Sequence, residues 1–338
     1  MTFSHNYNSL DLGKFIFAFA VVAIHTNPLV ACNNEYILCM YNVLVRFAVP
    51  FFFIASGYLL ASKFVFPLPA HTNLTRIQNQ LKKITKMYLW WTLAYFPLAL
   101  GHFLSTNTSF PKAFLIYVRG FIFVGEQYNS WPLWYLLATL YALILLWIVL
   151  KLKFSPTKLF CIWLGVTCIS IGFDFLAKTD VSLPLFAQQL QLLVKYTTGN
   201  GRIFQGITYI PLGIVLYYKT LPKWFNWMLF ITIGIALTGV QNNIVLTDIL
   251  RILAAVGMFS LMQGISLKDR FYYPFLRNTS LFIYLIHMYI WTLYYTVVYG
   301  TKTYGLDSFI VTSLVSFLTA SCWVFIKTKK PALFKERA

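Results

Sequence analysis

From Leu10 to Val30 the chain reads LDLGKFIFAFAVVAIHTNPLV. A run of about 20 apolar residues, rising roughly 1.5 Å each, covers a hydrocarbon core of about 30 Å, so this stretch reads as a membrane-crossing helix. It nevertheless carries Asp11, Lys14 and His25. Lys14 and His25 are about three helical turns apart, nearly on one face and roughly 16 Å apart along the axis. Ionisable groups are costly inside a membrane helix and usually face a polar cavity or a partner. Singly, Lys14 can snorkel to the headgroups and His25 can bond a neighbouring helix. Together on one stripe, with the histidine deeper, they point to a functional site.

The whole chain supports a membrane setting. Of its 338 residues 59% are hydrophobic and 11% charged, with a mean hydropathy of +0.68. Soluble domains carry about 25% charged residues. The 27 Lys and Arg against 9 Asp and Glu would suggest nucleic acid in a soluble protein. In a membrane protein they are first a topology signal, and no nucleic-acid partner is expected. The five cysteines form no CxxC pair. Cys161 and Cys168 read as small packing residues, and pairing of Cys32 with Cys39 is left open. No His/Asp/Glu/Cys cluster has ligand spacing, so no metal is expected. The first apolar run is longer than a signal-peptide core and has no basic segment before it, so no cleavable leader is expected.

Ten spans are expected, at about 12–30, 41–62, 87–104, 132–150, 159–176, 203–218, 225–241, 245–265, 279–298 and 306–326. The intervening segments alternate in charge. Eighteen basic residues fall in 63–86, 151–158, 219–223, 268–277 and the tail from Lys327. Six fall in the other set, 31–40, 105–131, 177–202, 242–244 and 299–305, and three (Lys14, Arg46, Arg251) lie within spans. This excess places the richer set and both termini in the cytoplasm. The expected fold class is therefore an all-α integral membrane protein of about ten transmembrane helices. Lys14 would then sit near the cytoplasmic entrance, with His25 beyond the midplane.

Several other positions stand out. In VLVRFAVPFFFIASGYLL, Arg46 precedes Pro50, and the span ends in Ser56-Gly57. Pro50 and Gly57 read as a kink and a close helix approach. Arg46 cannot shed its charge and is either interfacial or the partner of an anion. Glu126 precedes WPLWYLLATLY, whose Trp131, Trp134 and Tyr135 are spaced as an aromatic belt; aromatic faces beside a carboxylate would also suit a sugar. Arg202 follows a glycine-rich loop into the sixth span, and Asp248 and Arg251 are placed to pair on one helical face. His287 lies inside the ninth span, where it either hydrogen-bonds the site helix or takes a direct part.

The pattern Asp11/Lys14/His25 followed by RFAVPFFFIASGYLL resembles the bacterial membrane acyltransferase family 3. VVAIHTNPL and RFAVPFFF are especially similar to the membrane half of vancomycin-resistance serine racemases of that family. The family's first-helix signature is a basic residue, ten intervening residues and a histidine. Lys14 and His25 match the spacing, with lysine where arginine is usual, and Ser-x-x-x-Tyr-x-x-His around His287 is similar to a late family signature. The resemblance implies a ten-helix O-acyltransferase of the bacterial cytoplasmic (inner) membrane. It implies acyl-CoA, usually acetyl-CoA, as co-substrate with no permanently bound cofactor, and a cell-surface glycan or lipid-linked sugar as acceptor. Relatives often carry a further esterase-like or racemase domain. No Gly-Asp-Ser-Leu-type motif occurs here, and a single membrane-embedded domain over 1–338 is expected.

Acyl transfer to a hydroxyl needs a base for the acceptor and stabilisation of the oxyanion. His25 is the expected catalytic base. Lys14, Arg46 and Arg202 are the expected donor-binding residues, with Asp11, Ser56, Glu126, Trp134 and His287 in support. The alternative is a ten-span carrier or flippase for a lipid-linked saccharide, in which buried ionisable residues mark a path.

Overall fold

The computed structural model describes residues 7–179, 184–199, 201–239 and 243–335, with side chains to residue 327. Every regular element among them is helical. The first six helices are α1 (Asn8–Thr26), α2 (Glu35–Arg46), α3 (Ala48–Ala61), α4 (His71–Ser105), α5 (Phe110–Arg119) and α6 (Leu133–Lys151). They are followed by α7 (Pro156–Lys178), α8 (Leu185–Thr198), α9 (Gln205–Tyr218), α10 (Lys223–Gly239), α11 (Ile244–Gly264), α12 (Tyr272–Val298) and α13 (Leu306–Lys335). A π-helical turn, Gly120–Val124, follows α5, and a 3-10 turn, Arg202–Phe204, leads into α9.

Seven helical runs among the described residues are long and apolar enough to cross a membrane: α1, α2 with α3, α6, α7, α11, α12 and α13 as far as Lys327. The chain is a multi-pass membrane protein. The other three expected spans are helical but do not meet that measure. At 14 and 17 residues, α9 and α10 are short for a bilayer. The apolar part of α4 is diluted by Tyr88, Trp90, Trp91, Tyr95 and His102. The end of the expected seventh span, residues 240–241, and the tail residue Arg337 lie outside the described residues.

Local chemistry sets the breaks that matter. At the end of α1, Asn27 adopts a left-handed conformation (φ 43°, ψ 67°) and its N–H returns to the Ala23 carbonyl. Pro28 follows, so the helix stops one residue beyond His25. The Asn34 side chain accepts the Ile37 N–H at 3.1 Å and caps α2. Pro50 cannot donate to the Arg46 carbonyl, and the run Glu35–Ala61 breaks into α2 and α3 at Phe47. Cys32, Cys39, Cys161 and Cys168 are all free thiols.

The chain forms two compact units. One contains residues 1–51 and 261–338, joining the two ends of the sequence. In it α1 packs on α12, and α12 on α13. The Gly13 face of α1 admits the Phe51 ring, whose tip would lie 2.7 Å from a Cβ placed there, and Phe17 meets the same ring at 4.7 Å between centroids.

The other unit contains residues 52–260. There α6 packs against α4 and α9, and α7 against α9 and α8. Two glycines close the approach of α3 and α9. A Cβ on Gly57 would lie 2.0 Å from the Ile210 carbonyl oxygen, and one on Gly213 would lie 2.0 Å from that of Ile54. Backbone meets backbone there, so neither position accepts a side chain.

Candidate active site

The first unit holds the α1 stripe. Lys14 and His25 are both half-buried, and the helix is unbroken between them, so the expected spacing is realised. Around the start of α1 is a polar cluster. Asn8 Nδ2 donates to Asp269 Oδ1 at 2.6 Å and to the Leu267 carbonyl at 3.3 Å. Asp11 is buried, with Arg277 Nη1 3.7 Å from its Oδ2, and Lys14 also attracts it electrostatically. Asp11 thus holds two cations at this end of the helix. Arg277 is a residue that sequence reasoning counted only as a topology charge; no local pattern links it to Asp11.

At the other end of the stripe, the His25 ring stacks on that of His287, with centroids 5.3 Å apart and planes 25° from parallel. His287 is fully buried. Its Nδ1 lies 2.8 Å from the Tyr284 carbonyl and 3.3 Å from that of Ile283. Carbonyl oxygens only accept, so Nδ1 carries the hydrogen and Nε2 presents the lone pair. That Nε2 is buried with no hydrogen-bond partner among the described residues. Buried polar atoms are nearly always paired, so this lone pair beside a second imidazole is an exception. The contact is therefore ring to ring, with the His287 hydrogen bonds going to its own helix.

Below this pair in α12, the Trp291 ring is fully buried and its N–H donates to the Thr303 carbonyl at 3.1 Å. Lys302 stands 5.0 Å over the same ring. On the other side, Tyr41 donates to the Ala23 carbonyl at 2.8 Å, and the Gly305 N–H to that of Thr26 at 2.9 Å. These bonds tether the terminal turn that carries His25. Arg46 ends α2 with an exposed side chain and is not part of the histidine pair.

The remaining expected site residues lie in the second unit, where they form their own constellation. Arg202 Nη2 donates to Glu126 Oε1 at 3.0 Å, and its Nε to the Gly199 carbonyl at 2.9 Å. Its guanidinium lies 5.7 Å over the Trp134 ring. The other Glu126 oxygen is buried without a hydrogen-bond partner among the described residues. The loop behind Glu126 is tightly held. The Gln127 N–H donates to Ser130 Oγ at 2.7 Å, Ser130 donates back to Gln127 Oε1 at 3.0 Å, and Asn129 takes φ 51°.

Trp134 and Tyr135 correct the aromatic-belt reading. Both are buried, against Phe53 at 5.9 and 4.5 Å between centroids. Gly125, at φ 76°, leaves room for the Trp134 backbone, which would lie 2.5 Å from a Cβ placed there. Ser56 donates to the Phe52 carbonyl at 2.8 Å and lies 2.9 Å from the Tyr135 hydroxyl. Asp248 and Arg251 pair at 2.6 Å on α11, as their spacing predicts. Among the described residues no group of three or more His, Cys, Asp or Glu is placed to hold a metal ion.

Comparison with known proteins adds the identity of the fold. Two amino-acid racemases of Enterococcus faecalis are 30% and 29% identical to this chain, over 63% and 64% of its length. A serine/alanine racemase of Enterococcus gallinarum is 30% identical over 61%. The matched segment is only 28–29% of each of those proteins, so the chain matches less than a third of their length. No solved structure matches it. The model of the acyltransferase family 3, described as an acyltransferase domain, covers residues 7–327. With nearly the whole described chain inside that match, the protein belongs to the membrane acyltransferase family 3.

Proposed function

We propose that the protein is an O-acyltransferase of the bacterial cytoplasmic membrane, moving an acyl group, acetyl by default, from acyl-CoA to a hydroxyl of a cell-surface glycan or lipid-linked sugar. The observation that carries this reading is the stacked His25–His287 pair at one end of a helical stripe whose other end holds Lys14.

In this reading the cations near Asp11 serve the donor. Lys14 and Arg277 lie at one end of α1 and attract the anionic part of a coenzyme. His25 is the general base. It takes the proton of the acceptor hydroxyl as that oxygen attacks the thioester carbonyl. The carbon–sulfur bond then breaks, and the departing thiolate receives the proton, leaving an ester and free CoA. His287 is a positioning residue. Its Nδ1–H is fixed on the Tyr284 carbonyl, and its ring holds that of His25. The helix-end tethers from Tyr41 and Gly305 keep the base from fraying away. Lysine in place of arginine keeps the charge at position 14 and forgoes the two-pronged guanidinium contact. Arg46 and Arg202 remain candidates for donor contacts.

The test is donor turnover by purified protein in nanodiscs with radiolabelled acetyl-CoA and no acceptor. Saturable binding weakened by Lys14→Ala, with thioester hydrolysis lost in His25→Ala, supports the assignment. Absence of donor binding by the folded wild type rejects it and turns attention to transport of a lipid-linked saccharide.

A further inference from the structure

Within the second unit lies a polar cavity of about 220 Å³. Its wall is formed by Asp174 and Lys178 of α7, Arg202 and Gln205 at the start of α9, and Asp248 and Arg251 of α11. Lys178 pairs with Asp174, and Arg251 with Asp248 at 2.6 Å. Arg202 pairs with Glu126 at 3.0 Å. Three of the chain's nine acidic residues are thus committed to this one locality. The Lys178 and Arg202 side chains remain partly exposed, and ion pairs in contact with water add little stability. Packing alone does not account for concentrating them around an open volume.

The balance of charge selects the ligand class. Each cation has a carboxylate partner, so a phosphate entering the cavity meets Asp174 and Asp248, and a metal ion meets Lys178 and Arg251. A neutral molecule bearing several hydroxyls satisfies both kinds of group at once, accepting from guanidinium and ammonium and donating to carboxylate. The Gln205 amide supplies one more donor and acceptor, and Tyr209 lines the same cavity. The volume lies below the roughly 300–1,000 Å³ of sites for larger ligands. It suits a single sugar ring.

We propose that this cavity binds one neutral, polyhydroxylated ring, a saccharide unit. This binding does not depend on the acyltransferase function proposed above.

The experiment is saturation-transfer NMR on the full chain in nanodiscs, without acyl donor, using the methyl glycosides of glucose, galactose and N-acetylglucosamine as probes and inorganic phosphate as a competitor. Saturable binding of at least one glycoside is expected, unaffected by phosphate and weakened about tenfold or more by Asp248→Asn, which strips a charged acceptor from the ligand. Because that change also breaks a half-buried pair, Gln205→Leu serves as a second variant that leaves every ion pair in place, with the same expected loss. No binding of any of the three glycosides to folded wild type overturns the proposal. So does displacement by phosphate, or affinity unchanged in Gln205→Leu. Donor hydrolysis is measured separately: hydrolysis without sugar binding removes this site and leaves the enzyme, whereas sugar binding without hydrolysis leaves the site and removes the enzyme.

Discussion

His25 and His287 come from opposite ends of the sequence, yet their rings stack 5.3 Å apart between centroids, and the deeper ring keeps a buried Nε2 with no hydrogen-bond partner among the described residues. The pairing requires α1 to lie along α12 and α1 to end one residue beyond His25. The two rings are held differently: His287 is locked to its own helix by Nδ1, and His25 sits at a half-buried helix end.

Replacing His25 with Ala should lower acetyl-CoA turnover about 100-fold or more, the range in which a general base contributes. Expression and helical content should be unchanged. Radiolabel release in nanodiscs checks the rate, and circular dichroism checks the fold.

His287→Gln should keep an amide donor near the Tyr284 carbonyl but lose the stacked ring. The expected result is a kcat lowered about tenfold with the KM for acetyl-CoA nearly unchanged, because positioning acts on the reacting step. A change confined to KM would instead assign His287 to donor binding.

Lys14→Ala should weaken acetyl-CoA binding by about five- to tenfold at low salt, with the difference shrinking as salt screens the attraction. Lys14→Arg should bind at least as tightly as wild type, since the guanidinium adds a two-pronged contact. Equilibrium binding at two ionic strengths separates these outcomes.

Arg202→Ala should destabilise the protein by about 1–3 kcal/mol, leaving the Glu126 carboxylate without its cation. The double change Arg202→Ala with Glu126→Gln should recover most of that loss. Unfolding midpoints in detergent for the two singles and the double provide the cycle.

Gly213→Ala should cost about 1–3 kcal/mol by forcing α3 and α9 apart, since the added carbon meets the Ile54 carbonyl. Gly165→Ala, where a Cβ meets nothing within 4 Å, should be neutral or slightly stabilising. The difference in thermal midpoint between these two variants measures the close approach directly.

The sequence by itself determined the apolar runs, the multi-pass class and the Lys14–His25 stripe, because the bilayer fixes helix length and a helix fixes which residues share a face. It also determined the Asp248–Arg251 pair, a contact three residues apart on one helix. Only the tertiary structure decided what lies between elements distant in the chain. It made His287 the ring partner of His25, brought Arg277 to Asp11, and joined Glu126, Trp134 and Arg202. It buried Trp134 and Tyr135 against Phe53 where an aromatic run at a span end reads as a belt. Periodicity reports the direction of a side chain from its own helix; which neighbour it meets depends on helix packing, which in a membrane is set by close fit and polar contacts rather than by hydrophobicity.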